Sequence, residues 1–121
     1  MCEAYDETIE LTEYIWRNYS QFLTTAEARA ASTLLLQDKL RTARPPVAHA
    51  LREQIKKWES EETHILLRDD RELFRKKTAD RICLEHTDEV VILRCPDCDK
   101  IVATPRAHQC LWCGHDWHTQ R

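Results

Sequence analysis

Glycine is nearly absent: Gly114 is the single one in 121 residues. Glycine supplies the positive φ angles of tight turns and bulges, so a chain almost without it is not expected to be mostly β. A glycine-rich phosphate loop is excluded on the same count. No apolar run approaches the roughly 18 residues of a membrane span. No basic stretch leads into the apolar core of a secretion signal. The expectation is a chain without a membrane partner, placed in the cytoplasm. Catalytic signatures are missing as well. No Cys-x-x-Cys sits in a βαβ pattern of the thioredoxin kind, and no local Ser-His-Asp or Cys-His arrangement stands out. Glu61-x-x-His64 offers one arm of a di-iron carboxylate motif and no second arm. The sequence therefore assigns no catalytic residue, and it fits a binding role better than an enzyme.

What is present is a helical pattern followed by cysteines. Apolar residues make up 42% of the chain and charged residues 32%, a globular composition. Leu11, Ile15 and Phe22, flanked by Tyr14, Trp16 and Tyr19, predict an amphipathic helix from Asp6 to about Tyr19, behind a loose start over 1–5. Thr24-Thr25-Ala26-Glu27 reads as a capping box opening a helix over 25–42, with Leu34, Leu35, Leu36 and Leu40 on its buried side. Pro45-Pro46 reads as a break. Val47, Leu51, Ile55 and Trp58 predict a third helix over 47–58. Asp69-Asp70-Arg71-Glu72 caps a fourth that runs to about His86. Beyond Glu89 the β-branched run Val90-Val91-Ile92-Leu93 and the run Ile101-Val102-Ala103-Thr104 predict two short strands.

The chemistry lies in the last quarter. Cys95-Pro96-Asp97-Cys98 and Cys110-Leu111-Trp112-Cys113 are two Cys-x-x-Cys pairs separated by eleven residues. That is the spacing of a structural zinc site, each pair forming a tight knuckle that turns two thiolates toward one ion. Four cysteines complete a tetrahedron and leave no open position, which argues against catalysis at the metal. Gly114 follows the second knuckle, where a positive φ is often needed, and Asp99 takes that place after the first. His108, His115 and His118 lie nearby, and because the four-cysteine set is already complete they are expected around the thiolates and not on the ion. Cys83 is expected to be a small buried hydrophobe and Cys2 to fray. Iron is a chemical alternative to zinc.

The two knuckles with Gly114 resemble those of the zinc-ribbon, or rubredoxin-like, fold group, over residues 89–118 only. The resemblance implies a small β-ribbon holding one structural Zn2+ between two turns. The group includes parts of transcription and translation proteins, enzyme appendages and adaptors, so it implies no single function. The resemblance does not extend to the helical part.

Together these features predict an α+β protein: a helical domain of about four helices over 1–88 and a β zinc ribbon over 89–121, docked on the helices. The expected role is a non-enzymatic protein-protein interaction or adaptor module. Leu111 and Trp112, in the middle of a knuckle that points away from its metal, and Trp117 beside them either pack on the helices, the more economical reading, or form the candidate contact surface. The alternative is a nucleic-acid-binding regulator of transcription or translation. It rests on segment 39–57, with six basic and one acidic residue, and on the basic flank of 68–81. Against it, residues 1–38 are net acidic, the cysteine segment is formally neutral and the whole chain carries −3.

Overall fold

The structure is a computed structural model and describes residues 5–117. Helix α1 (Glu7–Asn18) starts where Asp6 accepts the Ile9 N–H at 3.1 Å. Glu7 and Glu10 in its first turn and Arg17 in its last complement the helix dipole. A single 3₁₀ turn, Ser20–Phe22, follows. Helix α2 (Thr25–Leu40) opens with the expected capping box. Thr24 Oγ1 accepts from Glu27 N–H at 3.1 Å, and the Glu27 carboxylate accepts from Thr24 N–H at 2.8 Å. Helix α3 (Pro45–Lys57) begins on the two prolines. At these positions a missing N–H forfeits no intrahelical bond, so the break precedes Pro45 and the prolines start the helix.

Helix α4 (Glu61–Leu66) has no counterpart among the sequence expectations. At six residues it is too short for a periodic signal. Its start was nonetheless written in the chain, since Ser60 accepts the Thr63 N–H at 3.1 Å and Glu61 and Glu62 fill the first turn. Helix α5 (Arg71–Glu85) follows Asp70, whose carboxylate accepts the Leu73 N–H at 2.8 Å.

The chain divides into two compact units, one of residues 23–74 and one of residues up to 22 with those from 75 onward. In the first unit α2 packs on α3 and α4. Ala30, Thr33, Ala48 and Thr63 are buried, while Leu35, expected in the core, is 61% exposed. Small side chains at the helix contacts allow close approach and leave the leucines at its margins. In the other unit Tyr14, Ile15, Tyr19, Ala79 and Ile82 are buried. Among the described residues no helix is long and apolar enough to cross a membrane.

The expected α+β class and the β-ribbon are not found. The described residues contain helices and no strand; the cysteine segment holds only two isolated antiparallel bridges, Arg94–Ile101 and Gln109–Asp116. The reason lies in where the main chain finds its partners. The run 90–93 has the side-chain composition of a strand, but Tyr14 of α1 and Tyr19, the residue that ends it, take the place of a second strand. Tyr14 Oη donates to the Val91 carbonyl at 2.5 Å and accepts from the Leu93 N–H at 3.2 Å. Tyr19 Oη donates to the same carbonyl at 3.1 Å and accepts from the Val91 N–H at 2.8 Å. Further along, Tyr5 Oη accepts from the Ile101 N–H at 3.1 Å, and Asn18 Nδ2 donates to the Ala103 carbonyl at 3.0 Å. Tyr5 is thus an anchored residue and not part of a loose start.

Candidate metal centre

Two copies of one turn build the centre. Residues 93–102 and 108–117 repeat each other's hydrogen bonds at an offset of fifteen positions. Cys95 N–H donates to Lys100 O at 2.9 Å, as Cys110 N–H does to His115 O at 2.8 Å. Asp99 N–H donates to Cys95 O at 2.9 Å, as Gly114 N–H does to Cys110 O at 3.0 Å. Val102 N–H donates to Leu93 O at 3.1 Å, as Trp117 N–H does to His108 O at 2.8 Å. Each turn also aims an amide at its first sulfur, Asp97 N–H at Cys95 Sγ and Trp112 N–H at Cys110 Sγ, both at 3.3 Å. Asp99 and Gly114 are the two residues with positive φ, 64° and 79°. The paired cysteines marked the two knuckles in the sequence, but the wider match of their hydrogen bonds was not visible there, because the positions between the cysteines differ in every side chain.

The two turns bring Cys95, Cys98, Cys110 and Cys113 together, with all four Sγ atoms within 4.8 Å of one another. Across the turns, Cys95 Sγ lies 3.6 Å from Cys113 Sγ and Cys98 Sγ lies 3.6 Å from Cys110 Sγ. Four sulfurs at the usual bond length of ~2.3 Å around a tetrahedral ion are about 3.8 Å apart. The donor set therefore fits one metal ion. Cys95 and Cys110 are buried and Cys113 is exposed.

The thiols are differentiated by their turns. Burial raises the Cys110 thiol, but the amides of Cys113 and Trp112 and the neighbouring sulfurs outweigh it and bring it down to about 7. Cys95 is lowered as well, its burial opposed by the amides of Cys98 and Asp97. Cys113 is pushed up to about 12: the His115 amide favours its thiolate, but burial and the three sulfurs around it prevail. A cation at the centre of the four would relieve that crowding of charge.

Around the sulfurs a small apolar cluster of Cys95, Val102 and Cys110 gathers Leu93, Ala107, Trp112 and Trp117. Trp112 meets Tyr5 edge-to-face at 5.0 Å, and Lys100 Nζ lies over both rings, at 5.6 Å and 5.5 Å. Trp117 stacks on His115 at 5.7 Å. Leu111 is 79% exposed. Of the expected contact residues, then, only Leu111 is free of neighbours on most of its surface. Among the described residues the sulfur cluster is made of the four cysteines alone, without His108 or His115. His118 and Cys2 lie outside the described residues. Cys83 is half-buried, and burial followed by the Asp80 carboxylate raises its thiol.

An ion pair ties the first turn to α1. Arg94 holds both carboxylate oxygens of Glu7, one of them at 3.0 Å. Arg94, with the Tyr5 hydroxyl second, takes Glu7 from 4.5 to about 2. A carboxylate depressed on folding adds stability above its unfolded value, and that stability is lost as the pH falls toward the folded one. Both side chains are substantially exposed, so the contribution is about 1 kcal/mol after screening. Urea unfolding should show wild type about 1 kcal/mol above Glu7→Gln at pH 6, the gap closing between pH 4.5 and 2. A gap that ignores pH would remove the ion pair as its cause.

Backbone conformation gives a second expectation. A Cβ at Gly114 would meet nothing within 4 Å, so only the positive φ resists substitution. Gly114→Ala should cost about 1 kcal/mol and Gly114→Asn less, because Asn tolerates the left-handed region as Asp99 does. Equal stability of the Ala, Asn and wild-type proteins would overturn this.

No protein-family model matches the chain, no curated protein matches it, and no solved structure matches it. The four-cysteine cluster is consistent with a zinc-ribbon-like site, and its chemistry rests on its own geometry.

Proposed function

We propose that the four cysteines hold one structural Zn2+ ion and that the chain is a non-enzymatic protein-interaction module working in a reducing compartment such as the cytoplasm. The observation that carries the metal is the sulfur cluster, whose 3.6 Å cross-turn separations suit a tetrahedral thiolate site. Zinc is preferred over iron because four-thiolate structural sites are its usual setting. With all four positions filled by protein, the ion's role is to fold the turns. The interaction reading draws on the exposed Leu111 at the tip of the second turn, an apolar group that the fold leaves uncovered.

The nucleic-acid alternative has less support. In 68–81, Arg71 pairs with Asp38, Arg75 with Glu13, Lys76 with Asp80 and Arg81 with Glu85, at 2.7–3.0 Å. Cations already neutralised by carboxylates contribute little to binding phosphate. Titration with single- and double-stranded oligonucleotides at low salt should show no binding; salt-sensitive micromolar affinity would reinstate the alternative.

Two measurements test the proposal. Native mass spectrometry of the intact protein should find one zinc per chain, and none in Cys95→Ser, Cys98→Ser. Affinity capture from cells with both proteins should recover a defined partner that the metal-free variant loses. A coloured iron protein would overturn the metal, and failure to recover a partner with either form would overturn the interaction role.

A further inference from the structure

Beside the second turn lies a cleft of about 350 Å³, all of it within one unit. Glu10 and Arg17 of α1 form one side and Leu111 and Trp112 the other, with main chain at 101–103 as the floor. The volume is at the lower end for a ligand pocket.

The floor has a specific defect. Arg94 and Ile101 face each other in an antiparallel bridge flanked by the Cys95–Lys100 and Val102–Leu93 hydrogen bonds. Arg94 and Ile101 are therefore a non-hydrogen-bonded pair, and the N–H and C=O of Ile101 point away from residue 94. Ala103 lies in the bend that follows, and its C=O meets Asn18 and Arg17 of α1 as the Ile101 N–H meets Tyr5, so both residues present main-chain groups to that side. Two of these four groups are occupied: the Ile101 N–H by Tyr5 Oη, and the Ala103 carbonyl by Asn18 and, at 3.3 Å, by Arg17. The Ile101 carbonyl and the Ala103 N–H between them have no hydrogen-bond partner among the described residues. Ile101 is only 3% exposed, and a buried carbonyl ordinarily has a partner.

A carbonyl at one position and an N–H two residues later form the pair that one residue of a parallel extended chain satisfies with its own N–H and C=O. The cleft walls fit such a chain. Leu111 and Trp112 offer apolar surface to a side chain. The Glu10 carboxylate has no partner among the described residues, and Arg17, with one donor on Ala103, keeps others free. Glu10 and Arg17 are seven residues apart on α1, about 10 Å, the span of roughly three residues of extended peptide.

We propose that this cleft takes an extended segment of a partner protein, resting on the interaction reading above. One residue of the segment bonds to Ile101 O and Ala103 N–H, an apolar side chain lies on Leu111 and Trp112, and a basic and an acidic residue about three positions apart meet Glu10 and Arg17. Recognition is thus by main chain for affinity and by charge order for specificity.

The test is selection from a displayed random octapeptide library with the metal-loaded full chain. Enriched peptides should carry a basic and an acidic residue flanking an apolar one, in one fixed order. The double variant Glu10→Lys, Arg17→Glu should enrich the opposite order, and Leu111→Ser, a surface change that spares folding, should weaken the best peptide about tenfold. Amide exchange at Ala103 should slow at least about tenfold on saturation with that peptide, a loss of exposure that ordinary surface adhesion would not give. The proposal is overturned if peptides are enriched without a charge order, if both proteins select the same order, or if Ala103 exchange is unchanged. A partner captured from cells that is indifferent to all three substitutions would overturn the cleft and leave the interaction role standing. Absence of any captured partner would remove that role itself.

Discussion

Stripping the metal from the intact protein with a strong chelator is expected to abolish amide protection at Cys95, Asp99, Val102, Cys110, Gly114 and Trp117 while the helices of residues 23–74 keep theirs. Those six N–H groups hold the two turns closed. The apolar cluster around the sulfurs has three buried residues, two of which are the ligands Cys95 and Cys110. So small a core does not offset the conformational entropy of about twenty-five ordered residues, each costing roughly 1–2 kcal/mol. A four-thiolate metal supplies on the order of 10 kcal/mol of apparent binding energy, which appears as folding energy of the turns. Without it, the turns retain thiols whose ionisation is opposed by one another, as the rise of Cys113 to about 12 indicates.

The consequence extends past the turns. Tyr5, Tyr14, Asn18 and Tyr19 each give a polar group to main chain between 91 and 103. If the turns open, these partners are lost, and α1 should exchange faster while α2 and α3 do not. Hydrogen exchange read residue by residue separates the outcomes. Unchanged protection of the turns in metal-free protein would refute the metal's structural role. Loss of protection throughout, α2 and α3 included, would show that folding of residues 23–74 also depends on the ion.

The helices were legible because their signals are local. Asp6, Thr24-x-x-Glu27 and Asp70 each cap the helix they announce, and the periodicity of apolar residues located α1 and α3. The cysteine cluster was legible for the same reason: Cys-x-x-Cys is a statement about one turn, and the cluster follows once two turns meet. The strands were misread because Val90–Leu93 shows only what a segment's side chains prefer. A strand also needs a backbone partner, and here Tyr14 and Tyr19, more than seventy residues away, supply one from their hydroxyls. Leu35 was misplaced by the opposite error. Hydrophobicity nominated it for the core, whereas Ala30 and Thr33 occupy the contact because they are small. The cleft could not be seen at all, since Glu10, Arg17, Ile101 and Leu111 carry no shared motif.

The tyrosine links can be measured. Both hydroxyls reach the Val91 carbonyl, so either can serve it when the other is gone. Tyr14→Phe leaves the Leu93 N–H without its acceptor, and Tyr19→Phe does the same to the Val91 N–H. Val91 is half exposed, so water replaces part of what is lost, and each single change should cost about 1 kcal/mol. The double change also orphans the carbonyl and should cost about 3 kcal/mol, more than the sum of its parts. Such a loss is a large share of the 5–15 kcal/mol typical of a folded chain of this kind. Phenylalanine keeps the buried rings in place, so packing is held constant and the cycle reports the hydroxyls. Urea unfolding of the metal-loaded proteins at neutral pH gives the four stabilities. Strict additivity would mean that the two hydroxyls act independently and that Val91 has no shared anchor; no loss in either single variant would mean that α1 does not hold this segment through them.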